Sequence, residues 1–463
     1  MSMSETSTQK TSCDPNIAAE LREKRKRIIS QSLAKRHRKE KTFRFLGLSA
    51  VIIGLSFVAI LFGSILYKGL PSFWQMSMNL PVYFDPKVIN VGPKPVKFAT
   101  ESPAKYQERY IDWQTKMGML DWDSLIVKGM IARDARLAGH EDDLRSMYAS
   151  TESYRIRDMV IADPSLVGKK EDIKFLAEAN VDVWLTGKID RSLPDDQQQL
   201  SHEVRQLADQ LKQQGILERT FNFKIFTNTD SRSAPAASGL AGAFMGSLFM
   251  MLIVIFVAIP IGVASAIYLE EFAKKNILTD IVEVNINNLA AVPSIVFGLL
   301  GAAIFVGWMH LPLSAPLVGG LVLSLMTLPT VIITTRASLK AVPPSIRQAA
   351  QGLGASNVQT VCHHVLPLAL PGILTGSIIG VAQALGETAP LLLIGMSAFV
   401  PSVPSTPLDQ STALPVQIYL WQGNELRNFF EGRTEAAIIV LLAMMLGLNG
   451  LAIWLRKKFE VRW

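Results

Sequence analysis

Glu387 is an ionisable residue near the middle of an almost wholly apolar stretch, residues 368–396. If this stretch crosses a membrane, the carboxylate costs at least about 2.5 kcal/mol and needs a partner, water or a proton. Gln383 lies one helical turn earlier on the same face, and Thr388 follows Glu387. This face is a candidate polar route, on which Glu387 would pair with a cation or act in gating. The alternative is a structural role, in which Glu387 holds helices together through a buried hydrogen bond or ion pair.

Three other polar residues are candidates for the same route. Ser294 and Thr330 each follow a proline in another apolar stretch, and prolines in membrane helices permit bends beside a watery cavity. Both hydroxyls could instead bond to their own helices. Arg336 is a basic residue close to an apolar stretch, and its guanidinium could help to release an anion. The alternative is that Arg336 only extends to lipid headgroups.

These residues require membrane helices to position them, and the composition agrees. The chain has 463 residues, of which 49% are hydrophobic and 18% charged, which is more apolar than is usual for a soluble protein. Six windows are long enough to cross about 30 Å of hydrocarbon as helices. They lie near residues 44–67, 240–268, 284–308, 315–336, 368–396 and 434–455. The sequence therefore predicts an α-helical polytopic membrane protein with six transmembrane helices.

Lysine and arginine residues predict the orientation. They are concentrated in residues 1–43 and 457–463, and such residues are retained on the cytoplasmic side. Both termini are therefore expected in the cytoplasm, in agreement with an even number of spans. The N-terminal cluster could bind nucleic acid, but its place before a span favours a topology signal that contacts anionic lipid. The first window is too long for a cleaved signal peptide and is expected to remain as an anchor.

Residues 68–238 separate the first two windows and have the near-balanced charge of a soluble domain. Apolar and polar residues alternate in 181–190 and 219–230, which predicts strands. Residues 195–215 have helical spacing and end on a glycine. We predict a soluble α+β domain inserted on the outer side. It either guides a binding protein at the outer mouth or serves as a structural cap.

The sequence contains no pattern for catalysis or cofactor binding. The phosphate-binding pattern GxxxxGK[ST] does not occur, so the chain has no ATP site of that kind. The two cysteines, Cys13 and Cys362, lack partners at metal or thiol-redox spacing. We expect no enzyme activity, no metal site and no cofactor.

Residues 343–367 form a polar, small-residue stretch between two apolar windows. Two prolines open it, which suits a helix start, and Gly352 and Gly354 can stop a first helix. Ser356 and Gln359 have the capping-box spacing of a second helix. The pattern predicts a helix–turn–helix facing the cytoplasm, where small residues let a partner surface come close. The alternative is an amphipathic connector on the lipid surface.

The spacing of six residues in this stretch resembles the EAA loop of ABC-importer permeases. The six are Gln348, Ala349, Ala350, Gly354, Leu366 and Pro367. The resemblance implies that the loop docks into ATPase subunits. The chain departs from the pattern at Gln348, where Glu is usual, and at His364, where the usual residue is aliphatic. Glutamine keeps the size and the hydrogen bonds of glutamate but lacks the charge for an ion pair with the ATPase.

Two other segments narrow the resemblance. "NLAAVPSIVFGLLG" (288–301) and "ALGETAPLLLIG" (384–395) look like segments of PstA-type permeases of phosphate ABC importers, and "ALPVQIY" (413–419) is similar to their last outer loop. The resemblance covers about residues 240–463, and the inserted domain looks like the extra N-terminal domain of one branch of that family. Many members carry Arg where this chain has Gln383.

The resemblance implies a type I ABC-importer permease fold, with a permease core at 239–456, in a bacterial inner membrane. It also implies the partners: two copies of an ABC ATPase, a PstC-type permease and a periplasmic phosphate-binding protein. The expected function is the membrane subunit of an ATP-driven, high-affinity importer of inorganic phosphate. Alternatives are a permease for sulfate or molybdate, or a membrane-anchored sensor, which would leave the loop at 343–367 unexplained.

Overall fold

A computed structural model describes residues 15–98, 101–397 and 399–459. The chain divides into two compact units, Met1–Ser64 and Ile65–Trp463. Helix α1 (Pro15–Gly69) joins the basic residues of the tail to the first apolar window without a break. Cys13, the start of the basic tail and the last residues of the C-terminus lie outside the described residues.

The inserted domain contains a three-stranded antiparallel sheet. Its strands are β1 (Trp74–Tyr83), β2 (Lys170–Leu176) and β3 (Leu217–Phe221), in the order β2-β1-β3. Leu80 pairs with Ile173, and Trp74 pairs with Phe221. Most residues of the central strand β1 are buried whichever face they occupy, so its sequence lacks the alternation that marks a half-exposed strand. The sheet and its helices confirm the predicted α+β domain.

Helices cover the sheet and begin at side chains that cap them. The Ser102, Asp121 and Ser201 side chains each accept a hydrogen bond from the N–H three residues later, which satisfies a donor that has no partner in the first turn. The helices of this domain are α2 (Pro103–Gly118), α3 (Trp122–Arg133), α4 (Glu141–Arg145), α5 (Thr151–Ala162), α6 (Ala179–Thr186), α7 (His202–Gln213) and α8 (Lys224–Thr227).

The predicted helix at 195–215 is confirmed by α7, which ends just before Gly215 at φ +70°. The strand predicted at 181–190 is wrong, because α6 occupies most of it. Residues 181–185 are all buried, including Asp182, whose carboxylate accepts the Met76 N–H at 2.7 Å. Asp182 was therefore not the solvent-facing position that an alternating pattern requires. The strand predicted at 219–230 is confirmed for residues 219–221 and is wrong for the rest, because β3 ends at Phe221 and α8 follows.

Among the described residues, five helices are long and apolar enough to cross a membrane, and one bent pair would make a sixth span. The helices after the insert are α9 (Ala241–Ile267), α10 (Ile277–Ala290), α11 (Ser294–Gly301), α12 (Pro316–Ala341), α13 (Pro344–Gly352), α14 (Asn357–Thr360), α15 (Leu366–Gly386), α16 (Ala389–Leu393), α17 (Leu414–Gln422) and α18 (Arg427–Phe459). The spanning helices are α1, α9, α12, α15 and α18, and the bent pair is α10 with α11. Wider π-helical turns continue α9 over Tyr268–Phe272 and α11 over Ala302–Trp308.

Two predicted spans are not single straight helices. The window at 284–308 bends by 103° between α10 and α11, where Pro293 precedes the first residue of α11. The window at 368–396 is interrupted after Gly386, and Glu387 has an extended backbone. Pro390 then occupies the first turn of α16, where its missing N–H costs nothing.

Helix α12 packs between α9 and α15, and glycines permit the close approach. A Cβ atom on Gly320 of α12 would lie 2.6 Å from Cβ of Ile253 on α9, and one on Gly262 would lie 2.7 Å from Cγ1 of Val331. Small residues at such contacts let membrane helices gain dispersion energy along their backbones.

The inserted domain and the membrane helices after it share one apolar core. The same cluster contains Phe73 and Val183 of the insert and Val254 and Phe430 of the membrane helices. Arg433 at the start of α18 is 2% exposed. Its guanidinium donates to the carbonyls of Ser238 and Ala236 and to Gln75 Oε1, at 2.8, 3.2 and 2.6 Å. The inserted domain is therefore attached to the membrane helices both by apolar packing and by the buried guanidinium of Arg433.

Candidate functional site

The helix–turn–helix predicted at 343–367 is confirmed. Helix α13 is followed by a turn in which Gly354 adopts φ +90°, a region that favours glycine. Ser356 Oγ accepts the Gln359 N–H at 3.3 Å, and Gln359 Oε1 accepts the Ser356 N–H at 2.9 Å. This reciprocal capping box starts α14, which continues through a π-helical turn at Val361–Val365 into α15.

The loop presents one exposed surface and one buried surface. Gln348, Ala349 and Gly354 are exposed, whereas Ala350 is buried and Leu366 and Pro367 are half-buried. Leu353, at the end of α13, is 91% exposed. Below the loop lies a cluster of buried apolar residues that joins the ends of α12 and α15: Leu339, Val342, Val365, Ala369 and Ile373. The predicted coupling residues thus divide into three that a partner can touch and three that face the protein.

Arg347, the residue before Gln348, joins the loop to two membrane helices. Its Nη2 and Nε lie 2.6 and 3.2 Å from the two carboxylate oxygens of Glu271, beyond the end of α9. Arg347 also donates to the carbonyls of Leu339 and Val342, at 2.9 and 2.7 Å, at the end of α12. The hydrogen bonds with Glu271 raise the pKa of Arg347. The guanidinium fork matches the carboxylate in two parallel bonds, the geometry of the strongest ion pairs.

Arg336 lies in a neighbouring ion-pair group. Its Nε is 3.2 Å from Glu270 Oε2 and its Nη2 is 2.5 Å from Glu283 Oε1. Lys340 Nζ also lies 3.5 Å from Glu270. Glu270 follows α9 and Glu283 belongs to α10, so this group ties the second span to the first half of the bent pair and to α12. The guanidinium of Arg336 therefore neither extends freely to headgroups nor faces an anion route unpaired.

Glu387 lies at the end of α15 and not near the middle of a span, because the helix stops at Gly386. Its side chain and that of Thr388 are half-buried, and Gln383 is exposed. None of the ion pairs within the described part of the chain involves Glu387. The carbonyl of Thr388 accepts the N–H groups of Leu391 and Leu392, each at 3.1 Å. These hydrogen bonds form the first turn of α16 directly after the break that ends α15.

The structure brings together the two segments at 288–301 and 384–395. A Cβ atom on Gly298 of α11 would lie 2.7 Å from Cα of Pro390 in α16, so the two short helices are in backbone contact. Ser294, half-buried, occupies the first position of α11. The polar residues around Glu387 and the bend before Ser294 thus lie in packed neighbouring elements, a relation that the sequence did not reveal.

Thr330 and Arg336 lie elsewhere on α12. Thr330 is half-buried, and its carbonyl accepts the Thr334 hydroxyl at 2.8 Å. Thr334 and Ser338 contact α15 at Gly376 and Gly372, so Arg336 is about 20 Å along the helix axis from Glu387. The six candidate route residues therefore do not form one site. The carboxylates Glu270, Glu271 and Glu283 were missed, although acidic residues at the end of an apolar stretch are a usable signal for ion pairs.

The described residues contain no group of three or more His, Cys, Asp or Glu side chains that could hold a metal ion. The structure instead contains an exposed loop, ion pairs beneath that loop and several interrupted helices. Such elements can transmit a displacement of the loop to the spans.

Residues 258–463 match the family of binding-protein-dependent transport system inner membrane components. The phosphate transport system permease protein PstA of Yersinia pestis is 33% identical over 50% of this chain and 78% of its own length. The chain belongs to the permease family of ABC transporters. This permease is a multi-pass inner-membrane protein with the type I ABC-importer permease fold, and a subunit of this kind is not itself an enzyme.

The chain is also similar to a second permease and to a solved structure. The probable ABC transporter permease protein YqgI of Bacillus subtilis is 26% identical over 53% of the permease and 87% of its own length. A solved structure, the inward-facing MetNI methionine ABC transporter, is 15% identical over 48% of this permease and 96% of that chain, with a TM-score of 0.38. Residues 30–195 match a domain of unknown function, DUF3333, which fits the predicted extra N-terminal domain.

Proposed function

We propose that this permease is a membrane subunit of an ATP-driven importer of inorganic phosphate. The observation that carries the proposal is the exposed helix–turn–helix at 344–360, in a chain that is 33% identical to a phosphate permease over 50% of its length. The contact between α11 and α16 supports it, because these helices carry the two segments that look like PstA. Hydrolysis of ATP takes place in partner subunits, and the loop receives their movement.

The proposed assembly contains two copies of an ABC ATPase, a PstC-type permease and a periplasmic phosphate-binding protein. Gln348, Ala349 and Gly354 form the docking surface for an ATPase subunit, with Leu353 as an exposed apolar anchor. Ala350, Leu366 and Pro367 support that surface from beneath. Closure of the ATPase pair would displace this surface and change the orientation of the spans. The route would then open to the other side of the membrane, which is alternating access.

The proposed orientation places residues 1–43, the loop at 343–367 and residues 457–463 in the cytoplasm. Residues 68–238 then face outward, between the span at 44–67 and the permease core at 239–456. We propose that this domain guides the binding protein to the outer mouth. Single cysteines at exposed Met119 and at Asp196 should cross-link to the binding protein. Failure at both positions, with cross-linking at the outer mouth itself, would leave the domain as a structural cap.

For the route, we propose that Gln383, Glu387, Thr388 and Ser294 line its outer part, where α11, α15 and α16 meet. Thr330 lies deeper, on α12. A half-buried Glu387 without an ion pair within the described residues needs a cation or a proton from outside the chain, and a basic residue of the partner permease would supply one. We do not place Arg336 in this route, because the carboxylates of Glu270 and Glu283 already pair with its guanidinium.

Radiolabelled phosphate uptake at micromolar phosphate tests the function. Cells that lack this chain should lose high-affinity uptake, and complementation should restore it. Excess unlabelled sulfate or molybdate should not compete in the parent strain. Competition by either oxyanion would reassign the substrate, and undiminished uptake without the chain, in cells lacking a second high-affinity system, would reject phosphate. Failure to copurify with an ATPase would favour a membrane-anchored sensor.

A further inference from the structure

The docking loop has three connections to the membrane helices, and one of them includes an ion pair between side chains. Helix α13 follows α12 in the chain and leads through α14 into α15. Its third connection, to the end of α9, includes the ion pair between Arg347 and Glu271. Apolar contacts of Val263 and Ile267 with the cluster below the loop also belong to this connection.

The pair is built as a rigid joint. The Glu271 side chain is 8% exposed and that of Arg347 is 23% exposed, so water competes little for their hydrogen bonds. Two of the three remaining N–H donors of Arg347 bond to carbonyls at the end of α12, which fixes the guanidinium plane. A planar, bidentate contact resists both sliding and rotation, whereas a lysine would act only as a point charge.

The π-helical turn at Tyr268–Phe272 contains both carboxylates that follow α9, Glu270 and Glu271. Glu270 pairs with Arg336 and Lys340, and Glu271 pairs with Arg347. Arg336 in turn pairs with Glu283 of α10. A chain of contacts therefore runs from the loop to the second span and on to the bent pair, and π-helical turns are frequent at functional positions in helices.

We propose that Arg347 is a positioning residue for energy coupling: through Glu271 it makes α13 and the end of α9 one rigid unit, so that displacement of the loop moves the second span. This inference rests on the proposed ATP-driven uptake. Without the joint, the loop would still bind an ATPase and ATP would still be hydrolysed. Less of the movement would reach the second span.

The first test uses the full complex in proteoliposomes, with phosphate uptake and ATP hydrolysis measured together. Arg347→Gln and Glu271→Gln should each lower phosphate transported per ATP hydrolysed by about tenfold, because each removes the bidentate ion pair that joins the loop to the end of α9. Arg347→Lys should fall between these variants and the parent. Lys275→Gln is the matched control, because Lys275 is exposed and belongs to no ion pair among the described residues, and its ratio should stay near that of the parent.

A double variant separates coupling from stability. Arg347→Gln/Glu271→Gln leaves no unpaired charge, so its melting temperature in detergent should recover relative to either single variant. Its transport-to-hydrolysis ratio should remain low. A ratio that recovers together with the melting temperature would mean that the pair only stabilises the fold, and the proposal would fail.

A reversible cross-link supplies the decisive readout. In a background with Cys13 and Cys362 replaced by serine, Arg347→Cys/Glu271→Cys lacks the joint and should couple poorly. A short bifunctional methanethiosulfonate reagent that links the two cysteines through disulfides should raise the transport-to-hydrolysis ratio, and reduction should lower it again. Loss of uptake on cross-linking would show that the loop and α9 must separate, which would overturn the proposal. Absence of uptake in the parent complex would instead reject the proposed function.

Discussion

Asp409 fixes the turn that precedes α17. Its Oδ2 accepts hydrogen bonds from the N–H and the hydroxyl of Ser405 and from the N–H of Thr406, each at 2.8 Å. The bond from the Ser405 hydroxyl is the largest of the effects that lower the pKa of Asp409 to about 2. Donors that converge on one ionised oxygen hold this segment in place, because a protonated carboxyl accepts them less well.

The pKa shift sets the pH range of this stabilisation. Because the folded-state pKa lies below the ordinary value of 3.8, the contribution is complete above that value and is lost as the pH falls through about 2. Amide hydrogen exchange at Ser405 and Thr406 should therefore show the same protection at pH 5 and pH 8, after correction for the intrinsic rates. Asp409→Ala should abolish the protection at both pH values.

The neighbouring exposed residue Gln410 provides the control for that experiment. Gln410→Ala removes a side chain of similar size without removing an acceptor of these bonds, so protection at Ser405 and Thr406 should persist. Equal exchange in the two variants would mean that backbone contacts of the segment, such as the Ser411 N–H to the Ser314 carbonyl at 2.9 Å, hold the turn without Asp409.

At the scale of elements, the turn between α13 and α14 depends on one backbone conformation. Gly354 has φ +90° and open space around it, whereas Gly352 has open space but ends the helix α13 without a positive φ. Gly354→Ala should strain the turn by about 1 kcal/mol or more and shift the exposed surface of the loop. We expect weaker copurification with the ATPase and lower uptake.

Gly352→Ala is the matched substitution, since it adds the same methyl group at a helical position where alanine is favoured. Its ATPase association should equal that of the parent. If both variants bind the ATPase equally well, the left-handed conformation at Gly354 is not needed for docking, and the exposed surface must be recognised mainly through α13.

Local signals in the sequence predicted this loop because its information is local. Prolines, Gly354 and the Ser356–Gln359 box act within a few residues of themselves, so their effects do not depend on the rest of the fold. The six apolar windows were predictable for a related reason: the bilayer sets the length of a spanning helix. The break after Gly386 was missed because an apolar run hides an interruption that its packing against α11 stabilises.

Elements whose residues are buried on every side were predicted poorly. Residues 181–185 of α6 lie between two apolar clusters, with Val183 in one and Val181 in the other. Their sequence therefore shows neither the helical nor the strand periodicity of apolar residues. The candidate route was predicted as one set of residues, yet Arg336 and Glu387 lie at opposite ends of packed helices. The pairing of Arg347 with Glu271 joins positions 76 residues apart, and no local pattern reports such a contact.

At the scale of the whole molecule, Arg433 connects the inserted domain to α18. Its buried guanidinium donates to the carbonyls of Ser238 and Ala236 and to Gln75 Oε1 and lies 5.0 Å from the ring centroid of Phe429. Arg433→Met keeps most of the volume but removes the donor to the carbonyls of Ser238 and Ala236, whereas Gln75 Oε1 keeps the bond from Asn222 Nδ2 at 2.7 Å. The free energy of unfolding should fall by about 3 kcal/mol, measured as a lower melting temperature in detergent.

Arg427→Met supplies the comparison for that loss, because Arg427 is exposed at the first residue of the same helix and should leave the melting temperature unchanged. Protease treatment should also release the inserted domain sooner from Arg433→Met than from the parent. Unaltered melting and proteolysis would assign the attachment of the domain to its apolar core alone.

The orientation of the molecule decides whether the loop at 343–367 can meet an ATPase at all. Cys362 is exposed within this loop, so Cys13→Ser leaves it as the single native cysteine. In membranes prepared without the ATPase subunits, a membrane-impermeant maleimide should label Cys362 in inside-out vesicles and not in intact spheroplasts. A cysteine placed at Met119 of the inserted domain, in a chain with both native cysteines replaced by serine, should show the opposite pattern. Labelling of Cys362 from outside would mean that the topology is the inverse of the proposed one. The loop would then lie outside the compartment that holds ATP, and the coupling proposed for Arg347 would be refuted.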